Sequence, residues 1–169
     1  VVGKNTFNYA EDTGAAYISF FGNINAQLYA KLGLRYEYTS VKGNQVENAM
    51  RHSSSYGHLF PTLNVSYNFS NGDFLSASYN IGISKPRFSD LNPFRYYTTA
   101  TDYVSGNAFL SASTTHNMEI NFSHKGMSAV AYNSYVKDGI GYLTKFNSDM
   151  SQFTIPENCF DFNKVGVYL

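Results

Sequence analysis

Four histidines, one cysteine and a run of three serines are the residues whose types could support catalysis or metal binding in this chain. His52, His58, His116 and His124 are too scattered to show metal-ligand spacing, and His52 and His58 read as solvated loop histidines. Ser53 to Ser55 lie near His58, the residue types of a hydrolase, but no strand–turn–helix nucleophile elbow surrounds them. Cys159 has no second cysteine to bridge to and reads as a small, semi-apolar strand residue. Asp138 followed by Gly139 carries turn chemistry rather than that of an acid catalyst. "DFNK" and "SNGD" lack the ligand count of a calcium loop, and no glycine loop is built to cradle phosphate. The three N-x-S triplets follow from a polar residue at every second strand position. The expectation is no enzyme, no metal and no cofactor.

If these residues do no chemistry, the elements that carry them hold the information. The chain has 169 residues, 14% charged and 17% aromatic, with twelve basic and twelve acidic side chains. That is a strand-rich profile, and zero net charge gives no bulk attraction for nucleic acid. No stretch approaches the ~18 apolar residues of a membrane helix, and "VVGKNTFNYAED" lacks the basic and apolar regions of a signal peptide.

Strict alternation appears instead. Leu28, Ala30, Leu32, Leu34, Tyr36 and Tyr38 are apolar or aromatic, while Gln27, Lys31, Gly33, Arg35, Glu37 and Thr39 between them are polar or small, Tyr29 being the exception. Leu63, Val65, Tyr67 and Phe69 alternate with Thr62, Asn64, Ser66 and Asn68, and Leu75 to Ile83 and Met118 to Phe122 repeat the pattern. "GMSAVAYNSYVKD" is apolar on both faces. The runs match the ~9 to 11 residues of a tilted strand crossing a bilayer better than the ~5 or 6 of a soluble sandwich strand. A polar face of Asn, Ser, Thr and Gly suits a wet lumen, with tyrosine near strand ends.

Eight strands are expected, at about 3–10, 14–23, 26–40, 57–70, 73–86, 114–124, 127–138 and 158–169. "GNIN", "SNGD" and "HKG" give tight turns, and they alternate with long connections after the third, fifth and seventh strands. An outer-membrane barrel segregates short periplasmic turns from long external loops in this way. The fold class is therefore all-β, an antiparallel up-and-down meander of about eight long strands forming part of a transmembrane outer-membrane β-barrel. Two other readings stay open. One is a self-contained eight-stranded barrel with a structural or adhesin role, and the other a soluble β-sandwich that binds glycans through its aromatics.

Several ordered motifs resemble the barrel of TonB-dependent receptors, in the outer-membrane β-barrel family abundant in Bacteroides-type bacteria. Gly33, Arg35, Glu37 and Thr39 match its G-x-R-x-E-x-T strand, and Phe60 and Pro61 its F-P pair. Lys85, Pro86, Leu91, Asn92, Pro93 and Phe94 match its strand-ending K-P and the following L-N-P-F. Gly106, Asn107 and Leu110 match a G-N-P-x-L-x-P-E loop in part, with Ala108, Ala112 and Ser113 where the family has two prolines and a glutamate. Thr115, His116, Asn117 and Glu119 match T-H-N-x-E.

The resemblance implies nutrient uptake: a scarce ligand binds outside, and energy relayed by TonB rearranges a plug inside a barrel of about 22 strands. Residues 1–169 are then expected to be a segment of the barrel domain, with plug and signal peptide absent and edges open to self-association. The partners expected are outer-membrane lipid, the protein's own plug domain and TonB, and a nutrient ligand that the residues do not name. Residues 87–113 are expected to form an external loop whose exposed Phe88, Phe94, Arg95, Tyr96, Tyr97 and Tyr103 are candidate ligand contacts, packing of these rings on one another being the alternative. Lys31, Arg35, Glu37, Asn64, Asn68 and Glu119 are candidate lumen or plug contacts, with pairing inside the wall as the alternative.

Overall fold

The computed structural model describes residues 6–46 and 50–169. Among the described residues one sheet holds every strand, in the order β1-β2-β3-β4-β7-β8-β9-β6-β5. Seven strands are long: β1 (Phe7–Asn23), β2 (Leu28–Gln45), β3 (Met50–Asn68), β4 (Phe74–Ser84), β7 (Ser113–His124), β8 (Met127–Phe146) and β9 (Gln152–Tyr168). Between β4 and β7 lie a single helical turn, α1 (Phe88–Leu91), and two three-residue strands, β5 (Arg95–Tyr97) and β6 (Tyr103–Ser105).

Three expectations are corrected here. The first two predicted strands are one, since β1 runs unbroken through Glu11, Asp12 and Thr13, paired with Val41, Ser40 and Thr39. The connections at 41–56 and 139–157 are mostly strand, because β2 and β3 pair out to Gln45 and Met50 and β8 and β9 out to Phe146 and Gln152; residues 3–5 of the first predicted strand and 47–49 of the first of these connections lie outside the described residues. The sheet is not a simple meander. β6 leaves its place in the chain and pairs in parallel with β9, Tyr103 opposite Phe153 and Val104 opposite Thr154. Among the described residues β1 pairs only with β2, and β9 only with β8 and β6, so the sheet does not close on itself.

The short turns gather at one end. Asn25 Oδ1 accepts the backbone N–H groups of Gln27 and Leu28, each at 2.8 Å. Lys125 and Gly126 both have positive φ, 47° and 83°, the two-residue turn whose twist suits a hairpin. Side chains then stitch turn to turn: Gln27 donates to Ser70 (2.8 Å), Tyr67 donates to Gln27 (2.9 Å), and His124 Nδ1 lies 2.7 Å from Asp73 Oδ1.

The two faces differ in kind. One carries Ile18, Phe20, Leu32, Leu34, Tyr36, Tyr38, Leu59, Leu63, Leu75, Met118, Ile120, Phe122, Val165 and Val167, all exposed although apolar. A soluble sandwich would bury this stripe against a second sheet, yet Leu32 and Tyr38 are each 49% exposed. An apolar patch on this scale marks a surface made for an apolar medium. Its upper edge is oblique. Leu32, Leu63, Tyr79, Met118, Asn133 and Val165 form one hydrogen-bonding row. On β2 the apolar residues continue past that row to Tyr38, whereas on β9 Asn163 and Asp161 replace them. At about 3.3 Å per residue and about 4.8 Å per strand, that is a rise of roughly 20 Å over roughly 24 Å. Strands tilted by about 40° level the band, inside the ~35–45° range of transmembrane barrels.

Candidate functional site: the polar face and its loop

The opposite face is polar across its middle strands, with Phe21 on β1 and Phe162 on β9 as apolar exceptions at the flanks. Lys31, Asn64, Ser78, Glu119 and Tyr132 form a single row across five strands, β2, β3, β4, β7 and β8. The candidate lumen residues Lys31, Asn64 and Glu119 therefore share a face and a level, while Asn68 sits at the turn end of the same face. Arg35 and Glu37 pair within their own strand, Nη2 to Oε1 3.3 Å, and the Arg35 guanidinium lies 4.9 Å from the centroid of the buried Phe60 ring. The G-x-R-x-E and F-P motifs meet across the β2–β3 ladder in this way, and the ladder from β3 to β4 ends at Thr62, beside Pro61, which has no N–H to donate.

A groove on this face is lined by Ser78, Asn80, Asn117, Glu119, Tyr132 and Ser134. Asn117 donates to Asn80 (3.1 Å) and accepts from Ser134 (2.9 Å), so the floor is a hydrogen-bonded amide and hydroxyl layer. The strict alternation of β4 and β7 contains Ser78, Asn80 and Asn117. Tyr132 and Ser134 were hidden because β8 is apolar on both faces.

Above the groove lies the loop of residues 85–112. Its fold rests on the same motif residues. Gly106 N–H donates to the Asn92 carbonyl (3.0 Å) and Asn107 N–H to that of Asp90 (2.6 Å), clamping the segment against α1 with Leu91 buried between. A Cβ on Gly106 would stand 2.4 Å from the Asn92 oxygen and 2.7 Å from the Asp90 oxygen, so the clamp requires glycine for closeness of approach. Asn107 also donates to the Pro156 carbonyl (3.1 Å), and Asn158 exchanges hydrogen bonds with the Ser111 backbone (2.9 and 3.0 Å).

The six candidate ligand contacts on this loop divide. Tyr103, expected to be exposed, is buried: it stacks on Phe153 at 5.4 Å, and Arg95 covers it at 4.8 Å. Tyr97 leans on Tyr103 and Phe94 on Tyr96, at 5.5 and 6.4 Å, yet Phe94, Tyr96 and Tyr97 keep exposed faces. Phe88 points elsewhere, against Phe7 (5.7 Å) and Tyr9 (6.2 Å) on β1.

Sequence reasoning missed the ion pair beside it. Lys85 reaches Glu11 and donates to Thr13 (3.1 Å), Tyr9 donates to Glu11 (2.7 Å), and Thr13 lies 3.2 Å from Thr39. The Lys85 and Tyr9 hydrogen bonds hold the Glu11 carboxyl below the usual range. At the other flank the Asp102 carboxyl is lowered by the Gln152 backbone N–H it accepts (3.1 Å), with Thr99 and Thr101 adding to the effect.

A single sheet, apolar and exposed on one face and largely polar on the other, with short turns at one end and tall hairpins at the other, has the build of outer-membrane β-barrel strands. The chain belongs to the outer membrane protein beta-barrel family, whose model matches residues 2–169. It is thus a protein of the bacterial outer membrane. Among solved structures it resembles the Serratia marcescens hemophore receptor HasR, solved as a double mutant with its hemophore HasA and heme, at TM-score 0.71 and 12% identity over 93% of this chain. It also resembles the siderophore receptor PirA of Pseudomonas aeruginosa, at TM-score 0.53 and 15% identity over 94% of this chain. The chain spans 31% and 39% of the lengths of those two receptors. No curated protein matches the sequence.

Proposed function

We propose that this chain is a wall segment of a TonB-dependent outer-membrane receptor that binds a scarce nutrient and imports it with energy relayed by TonB. The observation that carries the reading is the two-faced sheet: an exposed apolar band backed by a row of polar side chains across β2, β3, β4, β7 and β8. Only a wall between lipid and a wet interior needs both. The open flanks and the partial span of HasR and PirA agree with a segment of a larger barrel. In this reading the Lys31–Asn64–Glu119 row and the Arg35–Glu37 pair face the plug. Phe94, Arg95, Tyr96 and Tyr97 are the loop's contacts for the nutrient, and Tyr103 serves the packing of the loop.

The test is a strain lacking the gene, grown with a ferric siderophore, cobalamin, a glycan or a peptide supplied one at a time at limiting concentration. Loss of growth on one of them, restored by the intact gene and abolished again when TonB is removed, is the expected result. Unchanged growth on every one of them would sink the proposal.

A further inference from the structure

The strand registers fix the side on which the 85–112 loop lies. Thr13 pairs with Thr39, which shares its face with Glu37 and Arg35, so Phe7, Tyr9, Glu11 and Thr13 all belong to the polar face. His52 belongs to it too, in alternation with His58 opposite Glu37. Five of these touch the loop or its stem: Phe7 and Tyr9 meet Phe88, Glu11 and Thr13 meet Lys85, and His52 meets Phe109 at 4.9 Å. The loop is therefore folded over the polar side, across the outer mouth above the groove, instead of splaying away from the wall.

Its two attachments are unequal. Toward β8 and β9 the loop is held by the β6–β9 backbone ladder and by four bonds between a side chain and backbone: Asn107 on the Pro156 carbonyl, the reciprocal Ser111–Asn158 pair and the Gln152 N–H on Asp102. A Tyr103–Phe153 stack and a hydrogen bond from Tyr142 to Asp90 (2.7 Å) add to them. Toward β1 it is held by side chains alone, Phe88 on two rings and Lys85 on Glu11 and Thr13, with both charged partners partly in water. Exposed side-chain ties of this kind are weak beside ladder hydrogen bonds, and local opening follows the weakest attachment.

We infer that residues 85–112 are a cover seated on the lumen side of the outer mouth, hinged on β9 and released at β1, which must leave its β1 anchor before a solute from outside reaches the polar groove. The inference rests on the polar face being the lumen, as proposed above.

The test uses the full protein in the outer membrane of intact cells, with Cys159→Ser as background and Asn117→Cys as a reporter in the groove for an impermeant maleimide. A short bis-methanethiosulfonate linker, cleavable by reductant, between Tyr9→Cys and Phe88→Cys locks the β1 anchor, where the rings rather than the backbones meet, and the same linker between Tyr103→Cys and Phe153→Cys locks the β9 hinge. The β1 lock is expected to slow labelling of the reporter at least about 10-fold, reversibly with reductant, while the hinge lock leaves it within about twofold. Equal effects of the two locks, no effect of the β1 lock, failure of the Tyr9 and Phe88 cysteines to bridge, or a reporter unlabelled even without a lock would each overturn the cover. Where the Tyr9 and Phe88 pair does not reach the membrane folded, Glu11→Cys with Lys85→Cys takes its place. Ile120→Cys separates the two readings. Labelled as fast as the groove, it defeats the barrel wall itself; protected by lipid while the locks behave alike, it defeats the cover alone.

Discussion

Replacing Gly106 by alanine probes the loop's internal clamp with little else disturbed. The added Cβ would stand 2.4 Å from the Asn92 carbonyl oxygen and 2.7 Å from that of Asp90, against an ordinary contact of roughly 3.4 Å. Both obstacles are backbone, so the segments must part by about 1 Å, enough to break the 3.0 Å and 2.6 Å hydrogen bonds of Gly106 and Asn107. Two such bonds contribute about 1 kcal/mol each, and overpacking adds about 1–3 kcal/mol. A local loss of about 3 kcal/mol raises the opening equilibrium of residues 85–112 roughly 100-fold. Hydrogen exchange of the loop amides in lipid nanodiscs reads that factor directly, with β2 and β3 amides as the unchanged reference. Gly22→Ala is the matched control, since nothing lies within 4 Å of its Cβ position and alanine is the better strand residue. Loop exchange in Gly106→Ala within twofold of the parent would refute the reasoning.

Leu32→Arg on the apolar face should cost about 2–4 kcal/mol of barrel stability, the range for a cation near the bilayer midplane, while Asn64→Arg on the polar face should cost under about 1 kcal/mol; urea unfolding in lipid vesicles compares the two. The Lys85–Glu11 tie should be complete above the ordinary glutamate pKa and fade as pH falls through the lowered value that Glu11 has in the folded protein, since a depressed carboxyl stabilises only while ionised. Proteolytic nicking near Pro86 should therefore rise as pH falls below the ordinary glutamate pKa of about 4.3, and Glu11→Gln should remove that dependence. Asp73→Ala should loosen the β3–β4 turn from His124 at a cost of about 1 kcal/mol or less, as for exposed pairs, visible as faster exchange at Asn71 to Phe74 with the loop untouched.

The sequence announced the faces of the sheet more clearly than the ends of its strands. Where lipid covers one side, every second residue must be apolar, and Leu28 to Tyr38 or Leu75 to Ile83 advertise their strand. Above the band both faces meet water or the loop, and alternation has no cause. "VKGNQ" and "RHSSSY" therefore read as loop although β2 and β3 stay paired through them. Glu11, Asp12 and Thr13 suggested a break for the same reason, whereas Glu11 and Thr13 turn inward to Lys85. The site was legible in part. Lys31, Asn64 and Glu119 follow from alternation alone, but the parallel β6–β9 pairing joins segments about 50 residues apart and leaves no local trace. The motif residues Leu91, Asn92, Gly106 and Asn107 matched the family pattern but carried no role in the sequence. Their position shows them holding the loop's own frame.

The unpaired flank of β1 bears on how such a wall enters a membrane. Along its free edge, alternate residues point their N–H and C=O groups away from β2. Over the ~10 residues within hydrocarbon that is about ten polar groups, and each left bare in lipid costs several kcal/mol. A half-inserted intermediate would lie tens of kcal/mol uphill, so the bilayer admits the sheet only once a neighbouring strand has taken that edge. Insertion then works as a quorum: no strand can cross on its own, and the machinery that delivers it must supply the pairing before the lipid.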